Sequence, residues 1–242
     1  MPVTLRRHLA TKKNAAGKRI VPFSGLREGV NAGEALKRHF AFMKVNKIKG
    51  YSTEVERGVL GAKTAQRRFG VKKPLVKLRK ELGLANIFID EKKAVEILTN
   101  KYGGDEVKSR NAWLKGDTLE GTLKPWDKIS EDIVRRRFGL ALAAEAGKSG
   151  AGRKGVALRS VLQDNVTHSW IVESVVQRLT KGMKNVPKMV GLPKETTGIK
   201  MQFVKIPDGR FRVYMEYEEF RGDVTRNFAE CMLPSVRKYL EA

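Results

Sequence analysis

The chain has 242 residues, with 49 Lys and Arg against 26 Asp and Glu, a formal net charge of +23 and 41% hydrophobic residues. That length and apolar content suffice for a buried core in one or two domains, while so large a positive surplus opposes compaction unless an anion offsets it. The single cysteine, Cys231, excludes an internal disulfide framework and a multi-cysteine zinc site, and no apolar run reaches the roughly 18 residues of a membrane span.

The three histidines, at 8, 39 and 168, show no metal-ligand spacing, and no Ser/His/Asp or Cys/His set is evident. The sequence therefore predicts no metal, no cofactor and no membrane partner. It reads as soluble and intracellular, or packaged in a particle, although its Arg-rich, acid-poor start also fits a mitochondrial presequence.

The charge is uneven. Residues 1–80 hold 21 basic and 4 acidic side chains, net +17, whereas residues 81–242 hold 28 and 22, net +6. Residues 1–30 carry Arg6, Arg7, Lys12, Lys13, Lys18 and Arg19 with no acid before Glu28, which predicts a basic extended arm. Asn31 with Glu34, and Thr53 with Glu56, signal two helix starts, joined by a connector bearing Lys44, Lys47 and Lys49. A third helix is predicted over 72–82, a short strand at 87–89, and a fourth helix from Glu91 to Asn100.

Glycines and Pro125 mark residues 101–129 as a loop-rich connector; a helix from Ser130 to Ala146 and a basic linker, Gly147 to Gly155, come next. Leu162, Val166, Trp170, Val175 and Leu179 predict one long helix over 157–181. Two alternating runs around Pro207, Asp208 and Gly209 predict a hairpin, and Asp223 can cap a last helix that Pro234 kinks. The predicted class is α+β: a basic N-terminal arm and helical region, then a C-terminal helix, β-hairpin, helix module. The predicted divisions are 1–30, 31–100, 101–129 and 130–242.

The segment Ala65, Gln66, Arg67, Arg68, Phe69, Gly70, Val71, Lys72, Lys73, Pro74, Leu75, Val76, Lys77 resembles the helix-turn-helix of phage repressors and transposase-type DNA-binding domains. Gln66 replaces the small residue usual where the helices cross, and Arg79 replaces an apolar one. The resemblance implies Lys72 and Lys73 in the major groove and Arg67 and Arg68 on phosphates. Together with Lys77 and Lys80 on the same basic face, and with the cations of the arm and the connector, these are the candidate nucleic-acid contacts.

Other motifs are incomplete. Gly147, Lys148 and Ser149 lack the first glycine of a phosphate-binding loop, since Leu142 stands there. Gly150, Gly152 and Gly155 come after a helical pattern where a dinucleotide site needs a strand. Asp208 and Glu216 lack a nuclease lysine, Glu218 standing in its place. The sequence thus predicts a non-enzymatic nucleic-acid-binding protein, DNA favoured over RNA, acting mainly on the phosphate backbone as a homo-oligomer or larger assembly. The alternative is a structural subunit of a nucleic-acid-containing assembly, such as a phage virion or head-tail component or a ribosomal protein.

Overall fold

The computed structural model describes residues 3–9, 12–13, 19–21, 23–41, 45, 47–146, 161–184, 186 and 198–241. In chain order these form β1 (Val3–Arg7), a two-stranded ribbon of β2 (Lys12–Lys13) and β3 (Arg19–Ile20), α1 (Phe23–His39), β4 (Lys47–Ser52), α2 (Glu56–Arg68) and β5 (Val76–Leu78). Next come α3 (Glu91–Tyr102), α4 (Glu106–Leu114), α5 (Trp126–Ile133), a π-helical turn (Val134–Gly139) and α6 (Leu140–Glu145). The chain ends with β6 (Val161–Thr167), α7 (Ser169–Leu179), β7 (Gly198–Lys205), β8 (Phe211–Tyr217), β9 (Phe220–Asp223), α8 (Thr225–Glu230) and α9 (Pro234–Arg237).

Seven strands make one mixed sheet in the order β5, β4, β6, β1, β7, β8, β9. The first four run parallel to one another, and β7, β8 and β9 are added antiparallel. Helices α1 and α2 cover one face; α5 and α7 cover the other. Val3 and Leu5 of β1 belong to the large core on the α7 face with Ile199, Met201, Val213 and Met215. On the opposite face Leu162 and Ile48 pack with Leu36, Phe40 and Ala65.

This is an α/β fold, which corrects the expected α+β arrangement. The predicted basic arm begins as a strand at the centre of the sheet, because Val3 and Leu5 alternate with Thr4 and Arg6 and all four are buried. Arg6 tolerates burial because Asp164 of β6 accepts from its Nε and Nη2, each at 2.7 Å, and also from Thr4 Oγ1 at 2.7 Å. The Gly61 carbonyl accepts a further bond from Arg6 Nη2 at 3.1 Å.

The expected long helix over 157–181 is instead strand β6 followed by α7. Leu162 and Val166 have helical spacing to Trp170, but in β6 they share one face of a strand buried on both sides. Its polar side chains are bonded: Asn165 Nδ2 donates to Thr4 O at 2.8 Å and Thr167 Oγ1 to Leu82 O at 2.6 Å. Gln163 Nε2 donates to Arg137 O at 3.2 Å, a carbonyl within the π-helical turn. The helix predicted over 130–146 is part of a longer run that begins at Trp126.

The helix-turn-helix is absent. Helix α2 ends at Arg68 and Gly70 turns the chain with φ +81°, but the predicted recognition helix is β5, paired in parallel with β4 at the sheet edge. Gln66 Nε2 donates to Leu75 O at 2.7 Å and ties the end of α2 to the segment entering that strand. Lys72, Lys73, Lys77 and Lys80 are exposed, as are Arg67, Arg68 and Lys49. Lys77 lies on an edge strand, where charge discourages pairing with another chain.

The alternating runs near the C-terminus are β7 and β8, antiparallel, with Gly209 at φ +89° in their turn. They extend the common sheet and do not form a separate module. Asp223 Oδ1 accepts from Thr225 N at 2.8 Å, and Pro234 starts a second short helix, α9. Lys18 and Lys44, the 147–155 linker, and Pro187 and Pro193 lie outside the described residues. Among the described residues no helix is long and apolar enough to cross a membrane.

Arg6 and Asp164 are 2% and 0% exposed, so removing either leaves an uncompensated buried charge. Asp164→Ala is expected to lower unfolding stability by about 3–5 kcal/mol, measured by urea denaturation. A double variant, Arg6→Met with Asp164→Leu, is expected to recover part of that loss; a double-variant loss equal to the sum of those of Arg6→Met and Asp164→Leu alone would show that the pair is not coupled.

Candidate active site

Parallel strands β1 and β6 are paired so that Arg7 lies opposite Thr167. The next residue on each is a histidine, and the backbone stays bonded one step further, His8 N donating to Thr167 O at 3.0 Å. The two imidazoles therefore meet at the C-terminal edge of the sheet, with His8 Nε2 3.0 Å from His168 Nδ1, ring centroids 4.6 Å apart and planes at 86°. Ligand sites of open α/β sheets lie at this edge.

The bonds fix the protons. His8 Nδ1 lies 3.3 Å from Leu9 O; a carbonyl only accepts, so Nδ1 carries the hydrogen of the neutral ring and Nε2 carries a lone pair. His168 Nδ1 then donates to His8 Nε2. Leu9 itself is buried against α1 and α2, where a Cβ at Gly29 would stand 2.8 Å from its Cδ2 and one at Gly61 3.3 Å from its Cγ. Two glycines thus leave room for the side chain whose carbonyl orients the first histidine.

Both rings are held neutral. Burial, then His168 and the cations Arg57 and Arg7, lower His8 to about 2. Burial and the same two arginines lower His168 to about 4. His168 also sits at the N-cap of α7, whose positive end disfavours an imidazolium.

A cavity of about 420 Å³ opens over this pair, lined by Arg7, His8, Arg57, His168, Ser169 and Trp170 from the sheet side. Leu84, Ile87, Phe88, Glu91, Val95, Leu98, Thr99, Gly104, Glu106 and Ser109 line it from the segment between β5 and α5. That segment is anchored from below: Ile89 N donates to Thr122 O, Lys124 N to Ile87 O, and Trp113 Nε1 to Lys124 O, all at 2.8 Å. Helices α3 and α4 start at Asp90 and Asp105, whose carboxylates accept from Lys93 N and from Val107 N and Lys108 N. Glu106 Oε1 accepts from Ser169 Oγ at 3.2 Å, linking the cap to the turn after His168.

Behind the cavity Arg110 donates to Glu173 at 2.7 Å with both side chains buried. Burial pushes the Glu173 carboxyl up to about 8, and the Arg110 guanidinium opposes that rise. Among the described residues no three His, Cys, Asp or Glu side chains gather as a metal-binding group.

The arrangement can bind an anion between Arg7 and Arg57 and present it to an imidazole lone pair. Of the predicted contact residues that are described, only Arg7 lines the cavity, while Arg6 is buried inside the sheet. Lys12, Lys13 and Arg19 lie on the small ribbon, and Lys47 and Lys49 lie on β4. The sequence reading missed His8, Arg57, Glu91, Glu106 and His168. The available signal was a histidine at the end of each of two strand-like segments, Val3–Arg7 and Val161–Thr167, but 160 residues separate them and only the pairing of β1 with β6 joins them.

No protein-family model matches the chain, and no curated protein matches it in sequence. Solved structures do match in fold. A protein described as mycobacterial hydrolase 1 is 15% identical over 92% of this chain and 99% of its own, with TM-score 0.54. Mycobacterial glucosyl-3-phosphoglycerate phosphatase, in complex with inorganic phosphate, is 13% identical over 92% and 98%, also with TM-score 0.54. Mycobacterial hydrolase 2 is 15% identical over 98% and 94%, with TM-score 0.51.

These neighbours are enzymes. They overturn the reading of a non-enzymatic nucleic-acid binder with a helix-turn-helix, and with it the virion or ribosomal subunit and the nucleic-acid and assembly partners. The charge surplus misled because a cation's sequence position does not say whether it faces solvent, a buried carboxylate or a cleft. The chain shares the α/β fold of these structures, with a seven-stranded mixed sheet and flanking helices.

Proposed function

We propose that the protein is a phosphohydrolase that transfers a phosphoryl group from a phosphomonoester to His8 and then to water. The observation that carries this reading is the pair of neutral, buried imidazoles 3.0 Å apart between two arginines at the C-terminal ends of β1 and β6. The fold likeness to a phosphatase in complex with inorganic phosphate supports it.

In this reading Arg7 and Arg57 hold the phosphate oxygens and spread their charge, which is most of what phosphoryl transfer asks of a protein. The Nε2 lone pair of His8 attacks phosphorus while the Leu9 carbonyl holds the Nδ1 proton. As the N–P bond forms the ester P–O bond breaks, and the departing oxygen takes a proton. His168 turns its Nδ1–H from His8 to a phosphate oxygen as the phosphate seats, which frees the Nε2 lone pair for the attack.

Glu106 already accepts from Ser169 Oγ, so Glu91, the other carboxyl on the cavity wall, is assigned as the proton donor. Water then attacks phosphorus and gives its proton to Glu91. The N–P electron pair returns to Nε2, and inorganic phosphate leaves.

His8→Ala is expected to lower phosphate release from p-nitrophenyl phosphate by at least a thousandfold. Wild-type enzyme quenched during turnover should carry an acid-labile, base-stable phosphoryl group on His8, detected by mass spectrometry. Full activity in the alanine variant would end the proposal.

Glu91→Gln separates proton donation from binding. It is expected to lower kcat/KM on alkyl phosphates, a constant that covers the steps up to phosphorylation of His8, about a hundredfold, the usual contribution of a general acid. On p-nitrophenyl phosphate, whose leaving group departs without a proton, kcat/KM should change little, while kcat falls with the loss of the base. Equal losses of kcat/KM on both substrates would remove Glu91 from the acid role.

A lowered pKa keeps the neutral nucleophile to lower pH. A free imidazole of pKa about 6.5 is mostly protonated at pH 5, whereas His8 and His168, at about 2 and about 4, stay neutral there. Nitrogen-15 NMR should show no titration of either ring between pH 8 and 5, with the His8 proton on Nδ1 throughout. A transition near pH 6.5 at His8 would contradict the site electrostatics.

A further inference from the structure

We infer that the group released from phosphate is apolar: the site takes aryl or alkyl phosphomonoesters in preference to sugar phosphates or phosphorylated acids. The inference rests on the phosphohydrolase reading of the same cavity and deepens it. Beyond the floor of Arg7, His8, Arg57 and His168, the walls carry Leu84, Phe88, Val95, Leu98 and the edge of Trp170, with Ile87 buried behind them. Val95 on α3 is 50% exposed and lines the cavity. Apolar side chains in a cavity wall favour a leaving group of the same polarity.

The remaining wall groups offer a sugar acceptors, in the carboxylates of Glu91 and Glu106, but few donors. A hydroxyl-rich leaving group needs donors and acceptors in the wall, and each of the three wall hydroxyls has already committed its hydrogen. Ser109 Oγ donates to the Asp105 carbonyl, Thr99 Oγ1 to Val95 O at 2.8 Å, and Ser169 Oγ to Glu106 at 3.2 Å. An anionic leaving group meets the carboxylates of Glu91 and Glu106 on the same wall.

A neighbouring cavity that shares Leu84, Phe88, Glu91 and His168 carries Arg79, Lys80 and Lys124, the natural anchors for a second anion. The Arg79 guanidinium lies 5.6 Å from the Tyr51 ring centroid and Lys124 Nζ donates to Asn86 at 3.1 Å, and none of the three cations lines the first cavity, whose apolar side chains are what the leaving group meets.

The test uses the full chain and non-hydrolysable probes, so that binding is read without turnover. By titration calorimetry octylphosphonate is expected to bind at least tenfold more tightly than methylphosphonate or phosphonoacetate. Val95→Lys changes a half-exposed helix position, so folding is not at stake; it should erase most of that difference and improve phosphonoacetate binding.

Phosphate release should show the same order, with kcat/KM for octyl or phenyl phosphate at least tenfold above that for glucose 6-phosphate. Equal affinity for octyl- and methylphosphonate, or preferential hydrolysis of glucose 6-phosphate, overturns the inference while the phosphohydrolase reading stands. Tight octylphosphonate binding that Val95→Lys weakens, with no phosphate released from any ester, upholds the apolar selectivity and removes the phosphohydrolase reading.

Discussion

The bond between Arg6 and Asp164 fixes the register on which the site depends. Asp164 takes three hydrogen bonds from β1, two from Arg6 and one from Thr4, at a depth where both charged side chains are nearly inaccessible to water. A buried ion pair is a poor source of net stability, because desolvation offsets much of its attraction. Its value here is geometric. A one-residue slip between β1 and β6 would leave Asp164 without Arg6 and turn every side chain to the wrong face. With the observed register, His8 and His168 leave the sheet side by side.

That placement also sets the electrostatics of the site. Two imidazoles in contact cannot both be charged at modest cost, and the nearby Arg7 and Arg57 penalise the first proton as well. The result is a pair of uncharged imidazoles next to fixed positive charge. In the proposed reaction an arriving phosphate dianion is attracted by the guanidinium groups and not pre-empted by an imidazolium. Some of the basic surplus therefore acts inside the fold, with Arg6 locking strands and Arg7 and Arg57 shaping a cavity.

The sequence was legible where one physical signal dominated. Helix α3 begins after Asp90, whose side chain caps it, and ends at Gly103 with φ +61°, and its apolar positions repeat with helical spacing. Strands β7 and β8 alternate buried and exposed residues over eight and seven positions around a turn containing glycine. Strands β1 and β6 defeated the same reasoning because both of their faces are buried: β6 shows no alternation of polarity, and in β1 the alternation of Val3 and Leu5 with Thr4 and Arg6 is short and ends in Arg7 and His8. In β6 the accidental spacing of Leu162, Val166 and Trp170 imitates a helix, and in β1 the paired arginines imitate a solvated arm. The turn after α2 was recognisable at Gly70, but the conformation of residues 76–78 is decided by the free edge of β4, a tertiary fact absent from the local sequence. The site needed the same kind of tertiary fact, since each histidine looks incidental until β1 and β6 are paired.

Selectivity and chemistry are assigned to different parts of the chain for a mechanical reason. The reacting groups stand at the ends of strands held by ladder bonds on both sides, where small displacements are resisted collectively. The walls that would meet the leaving group come from the segment between β5 and α5, whose own bonds to Thr122 and Lys124 hold it over the sheet edge without being part of the sheet. Substitution in that segment can change the shape and polarity of the cavity without disturbing the register of β1 and β6. The two parts are joined at several points: Ser169, the residue after His168, donates to Glu106 at the first turn of α4, Arg110 of α4 donates to Glu173 of α7, and the Trp113 and Trp170 ring centroids lie 5.5 Å apart. Through these contacts the position of the wall segment is referred to the helix that follows the second histidine.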